Sequence, residues 1–295
     1  MKRLLIGSTL LGVLLISGWS TFQLSANVGT IKLESQAGDV ARGAYLARVS
    51  GCIACHTRIE EGGRPLAGGP PLTTPFGTFH APNLTTDKAQ GIGSWSLDDF
   101  ARALRQGVSP QGQPYYPAFP YSFYSKLSDQ DIADLWAAFQ TVPAVTEAGA
   151  EHQLGFPYNV REGLTLWQGL FFKPQSAIAL RSDDERYNRG AYLVESASHC
   201  GACHTPRNLL GGLDDDRALQ GAENLLDGSS VPAISAGALQ DAGWTSSDLA
   251  YALKTGLKPD GDVFGGAMGE VVRDGTAFMT PQDRDAIAYF LLNRE

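Results

Sequence analysis

Between residues 95 and 107 the apolar side chains Leu97, Phe100, Ala101 and Leu104 recur at intervals of three and four, with polar residues between them. That spacing predicts an amphipathic helix. Ser96 is its N-cap, acids fill the first turn, and Gly107 fits its C-terminal end. The same pattern returns later: WSLDDFARALRQGVSPQG (Trp95–Gly112) is matched by WTSSDLAYALKTGLKPDG (Trp244–Gly261), with Thr245 as the cap and Gly256 as the closing glycine. Two further pairs frame these. RGAYLARVSGCIACHT (Arg42–Thr57) returns, one residue longer, as RGAYLVESASHCGACHT (Arg189–Thr205). LSDQDIADLWAAF (Leu127–Phe139) returns as MTPQDRDAIAYFL (Met279–Leu291), with Ser128 and Thr280 as caps. The chain therefore reads as one unit used twice. Each copy has a first, a middle and a last helix and little or no sheet.

Two segments stand outside the repeat. Residues 143–185 form a linker whose FPYNVREGLTLWQGLFFKP stretch (Phe156–Pro174) includes Trp167, Leu170, Phe171 and Phe172. So much apolar surface does not suit a solvated linker. It predicts a segment packed on both repeats, with a docking surface for a partner subunit or membrane as the other reading. At the N-terminus, Lys2 and Arg3 precede an apolar run from Leu4 to about Ile16, the form of an export signal. Residues 1–26 are then either a signal peptide ending at Ala26 or a retained anchor. The 21 residues from Leu4 to Leu24 are enough to cross a bilayer.

The first paired segment carries the candidate chemistry. Each copy holds Cys-x-x-Cys-His, as Cys52–His56 and Cys200–His204, and together they use all four cysteines of the chain. This spacing is an attachment site for a c-type haem. Two thiols form thioethers to the porphyrin, and the adjoining imidazole is held against the iron. The sequence thus predicts two covalent haem c groups, on Cys52, Cys55, Cys200 and Cys203, with His56 and His204 as proximal ligands. With the helix order, this is the pattern of an all-α protein of two tandem class I cytochrome c domains, residues 36–142 and 186–295.

Composition changes this picture little. A hydrophobic fraction of 43% with 18% charged residues is that of a globular protein. The net charge is −8, and without residues 1–26, which carry Lys2, Arg3 and no acid, it is −10. Such a chain is a poor nucleic-acid binder and attracts basic partners. The short run Asp214, Asp215, Asp216 reads as a solvated loop. No phosphate-binding glycine loop or Ser/His/Asp set stands out.

An electron-transfer haem takes a second axial ligand, commonly methionine, which raises the potential. The chain has only Met1, Met268 and Met279. From Trp244 to Met268 is 24 residues, and from Trp95 to Phe119 is also 24. Met268 is thus the sixth ligand of the second haem, Met279 is core, and Phe119 stands in the matching slot of the first repeat. The first haem needs another ligand or has none. His80, which follows His56 by 24 residues, is the first choice. An open or water-bound iron, His152 or an oxygen donor such as Tyr121 are the alternatives, and His199 adjoins Cys200 too closely to reach around.

The strings TPFGTFHAPNLTTDKAQGIGSWSLDDFARALRQG, YYPAFPYSFYSKLSDQDIADLW and HCGACHTPRNLLGG resemble the cytochrome c subunits of bacterial membrane-bound alcohol, aldehyde and gluconate dehydrogenases, and related di-haem cytochromes c. The resemblance covers nearly all of residues 38–295. It implies a periplasmic carrier that takes electrons from a dehydrogenase and passes them to a quinone, a terminal oxidase or another cytochrome. It also implies the haem roles given above, with Pro82 and Asn83 matching the segment beside the first haem. Those subunits usually hold three haems, and they usually have methionine where this chain has Phe119. Two other functions compete with a carrier: a di-haem enzyme of peroxidase or thiosulfate-oxidising type, and a haem-based sensor or assembly factor.

Overall fold

The computed structural model describes residue 33 and residues 37–174, 183–223 and 230–294. The N-terminal segment 1–26, and with it the signal-or-anchor question, lies outside the described residues. Among the described residues no helix is long and apolar enough to cross a membrane.

The first half runs α1 (Val40–Val49), the single turn α2 (Cys52–His56), a hairpin β1 (Pro71–Thr74) and β2 (Gly77–His80), α3 (Leu97–Gln106), the short α4 (Tyr121–Tyr124) and α5 (Asp129–Phe139). The linker adds β3 (Gln153–Leu154) and α6 (Gly163–Phe171). The second half runs α7 (Glu185–Tyr192), α8 (Gly201–His204), α9 (Ala236–Asp241), α10 (Ser246–Thr255), α11 (Gly266–Asp274) and α12 (Pro281–Asn293). Helices dominate, as the periodicity predicts. Ser96 and Thr245 both form capping boxes, with Asp99 and Asp248, and Gly107 (φ 62°) and Gly256 (φ 78°) end α3 and α10 in the left-handed region.

In each half the first helix crosses the last, α1 on α5 and α7 on α12. The repeated Arg-Gly-Ala-Tyr explains how. A Cβ at Gly43 would stand 1.8 Å from the Asp134 carbonyl oxygen, and one at Gly190 would stand 2.1 Å from that of Ala286. Only glycine allows backbones so close. The preceding arginines tie the same crossings. Arg42 Nε donates to Asp134 Oδ2 at 2.7 Å, and Arg189 Nε to Asp283 Oδ1 at 2.7 Å.

The tyrosines of the motif reach the other half. Tyr45 Oη donates to Asp283 Oδ2 (2.5 Å) and accepts from the Thr280 amide (3.2 Å), at the start of α12. Tyr192 Oη donates to Asp131 Oδ2 and accepts from the Ser128 amide (3.1 Å), at the start of α5. Asp131 and Asp283 are the same position of the repeat, so the halves clasp each other by an exchange of equivalent contacts, a pseudo-two-fold arrangement. The residue by which the second motif is longer is absorbed in a π-helical turn, Leu193–Ala197, directly after α7.

The linker packs on the halves it joins. β3 extends the sheet in the order β1-β2-β3, antiparallel throughout, with Thr78 opposite Gln153. Gln168 donates to the Gly107 carbonyl in the first half (3.1 Å), and Trp167 Nε1 to the Leu210 carbonyl in the second (2.8 Å). Phe172 meets the Tyr121 ring edge-on at 4.9 Å. Leu166 and Leu170 remain exposed.

Asp134 is fully buried and accepts from the Asp39 amide, from Arg42 twice and from Gln130. Burial works to raise its pKa, but these donors win and hold it below the ordinary carboxylate value. Asp134→Asn removes the charge from a set of donors and is expected to cost about 2 kcal/mol, discounted for the half-exposed arginine. A carboxyl depressed on folding stabilises fully above the unfolded value of about 4 and loses that contribution as pH falls through the folded value. Thermal melts should therefore show a clear deficit for the variant at neutral pH that shrinks in acid. An equal deficit at both would rule out the charged pair as its cause.

Candidate functional site

One helical turn brings Cys52 and Cys55, three residues apart, to a common face and sets His56 after them. The turn is entered through Gly51 in the left-handed region (φ 73°). In the second motif the equivalent residue is His199, also left-handed (φ 40°), a conformation that a non-glycine residue adopts at a cost. Neither pair of thiols is in a disulfide. Burial pushes Cys52 and Cys200 up to about 12, so both stay thiols rather than thiolates. Among the described residues no group of three or more His, Cys, Asp or Glu side chains is set to hold a metal ion.

The two histidines are held identically. His56 Nδ1 lies 2.7 Å from the Pro82 carbonyl oxygen, and His204 Nδ1 lies 2.8 Å from that of Pro232. A carbonyl only accepts, so Nδ1 carries the proton and Nε2 keeps its lone pair free for a metal. Burial lowers His56 to about 4 against the opposing pull of the Pro82 bond, and it lowers His204 as well, so both rings are neutral at pH 7. The loops that supply these carbonyls repeat atom for atom. The Gly68 amide donates to His56 O and the Gly221 amide to His204 O, at 3.0 and 2.9 Å. Thr57 Oγ1 takes the Leu66 amide and Thr205 Oγ1 the Leu219 amide, both at 3.1 Å. Two thiols beside a neutral imidazole of fixed tautomer are the donor set that a covalently attached haem requires, and the residues fit that group in both halves.

The motifs approach each other across the interface. A Cβ at Gly51 would stand 3.5 Å from His199 Cε1. The His199 ring meets Tyr124 at 5.5 Å and Phe123 at 6.3 Å, both on α4 of the other half. Cys55 is raised first by burial and then by the neighbouring Cys203 and Glu270, which brings the second thiols of the two motifs within electrostatic reach.

Met268 lies in the first turn of α11, half-buried, and α11 packs toward α2 of the first half. Met279 is buried in the core (3% exposed). His80 ends β2, two residues before Pro82. Its ring nitrogens are buried without a hydrogen-bond partner, and its amide donates to His152 Nδ1 at 3.2 Å. His152 is wedged against Phe79 and Tyr116. Asp214 pairs with Arg217 at 2.7 Å, in keeping with a surface loop. Sequence reasoning missed Pro232, Thr57, Thr205 and the crossed tyrosines. The repeat carried a signal for all but Pro232, in the Thr that follows each Cys-x-x-Cys-His and the Tyr of each Arg-Gly-Ala-Tyr.

Comparison with known proteins agrees with this geometry. The cytochrome c family profile matches residues 40–139. The chain is 41% identical over 259 residues to a "Diheme cytochrome c-type" protein of Cereibacter sphaeroides, covering 86% of this chain and 85% of that one. It is 38% identical over 286 residues to the gluconate 2-dehydrogenase cytochrome c subunit of Pantoea cypripedii, covering 91% of this chain but 64% of that subunit. It is 35% identical over 257 residues to the fructose dehydrogenase cytochrome subunit of Gluconobacter japonicus, spanning 52% of it. The fold and the motifs define a c-type cytochrome, a protein that carries covalently bound haem c. Within that class the chain belongs to the di-haem cytochromes c related to dehydrogenase cytochrome subunits.

Proposed function

We propose that this chain is a periplasmic two-haem electron relay that accepts electrons from a dehydrogenase and passes them to a quinone, a terminal oxidase or another cytochrome. The observation that carries the reading is the pair of identical histidine frames whose motifs meet across a pseudo-two-fold interface. Haem c, when bound, supplies a one-electron iron couple, and the protein contributes binding, orientation and electrostatics. Cys52 and Cys55 would hold one group and Cys200 and Cys203 the other. His56 and His204 present Nε2 because the Pro82 and Pro232 carbonyls fix their tautomer. Met268 would complete the second site. The clasp of Tyr45 and Tyr192 keeps the two motifs in register, so the distance between sites does not vary with domain motion. The acidic surface suits basic docking faces and predicts contact that weakens with salt. An N-terminal anchor would keep the relay beside a membrane-bound donor.

The test is reduction of the purified two-haem protein by a substrate-reduced membrane dehydrogenase, followed by rapid mixing. Uptake of two electrons per chain is expected, with a rate that falls as salt rises. Reduction at a rate no greater than that given by the free substrate, with turnover of peroxide or thiosulfate instead, would favour the enzyme reading.

A further inference from the structure

The register between the halves holds right up to the methionine slot. The Gly107 carbonyl accepts from the Tyr115 amide at 2.7 Å, and the Gly256 carbonyl accepts from the Phe264 amide at 2.8 Å. The Ser109 amide donates to Gln113 O at 2.8 Å, and the Lys258 amide to Asp262 O at 2.7 Å. Tyr115 and Phe264 therefore correspond in space as well as in sequence, and four residues on stand Phe119 and Met268. Phe119 offers iron no donor atom. Around it are the rings of Tyr115 (5.7 Å), Tyr121 (6.1 Å) and Tyr124 (5.7 Å).

The histidines do not substitute for it. The Leu84 amide donates to Leu66 O and the Ile234 amide to Leu219 O, so Pro82 corresponds to Pro232 and His80 to the exposed Ser230. His80 thus belongs to the strand that delivers the carbonyl behind His56, on that histidine's own side. Its ring nitrogens are enclosed by protein. His152 accepts a backbone amide with Nδ1 and packs on the paired rings of Phe79 and Tyr116. His199 is locked at the interface against Gly51 and Tyr124.

Resting on the two-haem reading above, we infer that the haem on Cys52 and Cys55 has no protein ligand opposite His56, and that this site takes a small neutral diatomic ligand beside Phe119. Phe119 with the rings of Tyr115, Tyr121 and Tyr124 gives the site an aromatic lining, which suits a small neutral guest. The two haems then have separate roles: one saturated by Met268, the other open.

The experiment uses the purified full chain, with covalent haem counted first. Two haems per chain upholds the underlying reading, and fewer overturns that reading itself. Carbon monoxide is then titrated into the dithionite-reduced protein, and the oxidised protein is examined by EPR. The expected result is one carbon monoxide per two haems and one high-spin ferric signal. Phe119→Met restores a sulfur donor, so carbon monoxide affinity should fall at least tenfold and the high-spin signal should be lost. His80→Ala and His152→Ala should leave both readouts as they are. Native protein that is wholly low-spin and takes up no carbon monoxide overturns the inference even with two haems present. Unchanged carbon monoxide uptake in Phe119→Met, or a new high-spin signal in His80→Ala, overturns it equally.

Discussion

Replacing both Cys52 and Cys55 by serine is expected to leave one covalent haem per chain instead of two, and replacing both Cys200 and Cys203 to leave the other one. The chain has four cysteines in all, so no remaining thiol can take over. Each pair lies on a single turn, with an imidazole directly after it that is already neutral and already oriented by a proline carbonyl. Loss of both thiols of one motif removes every covalent bond to that haem while leaving the histidine frame of the other motif untouched. The effect should therefore be a halving of haem stain on a denaturing gel and a fall in chain mass by one haem. The two double variants need not be equally stable. The clasp between the halves joins Tyr45 to the start of α12 and Tyr192 to the start of α5, so an unfilled half disturbs the interface from its own side. Retention of two covalent haems after loss of either pair would sink the attachment assignment.

Much of this was legible because the sequence repeats. A Cys-x-x-Cys-His turn is local: five adjacent residues carry the whole donor set, and their spacing alone fixes their common face. Caps such as Ser96 and Thr245 are local too, and both form the expected boxes. The glycine and arginine of Arg-Gly-Ala-Tyr act over a long distance in sequence, at Ala286 and Asp134, and no periodicity reports such a partner. The partners of the crossed tyrosines were hidden for the same reason. Their partners lie 238 residues from Tyr45 and 61 from Tyr192. The small sheet was missed because its strands are four residues or fewer and the third comes from the linker. His80 is a subtler case. Its distance from His56 allows a reach to the far side of the haem, whereas the bond from the His56 ring to the Pro82 carbonyl, two residues on, involves a main-chain acceptor that no side-chain pattern reports. The extra residue before Cys200 is visible as a length difference, yet its absorption in a π-turn, with His199 left-handed at the interface, depends on packing against the other half, which no local pattern reports.

Met268→His is expected to lower the higher of the two reduction potentials by an amount on the order of tenths of a volt, within the roughly 0.8 V span that axial ligands set. A thioether is a soft donor that favours ferrous iron, whereas an imidazole favours the ferric state. The substitution has room to work. Met268 is half-buried at the start of α11, it follows Gly265 and Gly266, and a Cβ at either glycine would meet nothing within 4 Å. The loop can therefore shift to seat a shorter ring. The first-half haem should move less, because α11, although it packs toward α2, supplies neither the Pro82 carbonyl that holds His56 nor the Thr57–Leu66 bond beside it. A potentiometric titration should thus show the upper wave moved down and the lower wave moved less, with loss of the charge-transfer band that sulfur ligation gives the oxidised protein. If both waves moved together, the two sites would be one coupled unit. If neither moved, Met268 would not be an iron ligand, and the correspondence with Phe119 that separates a saturated haem from an open one would have to be abandoned.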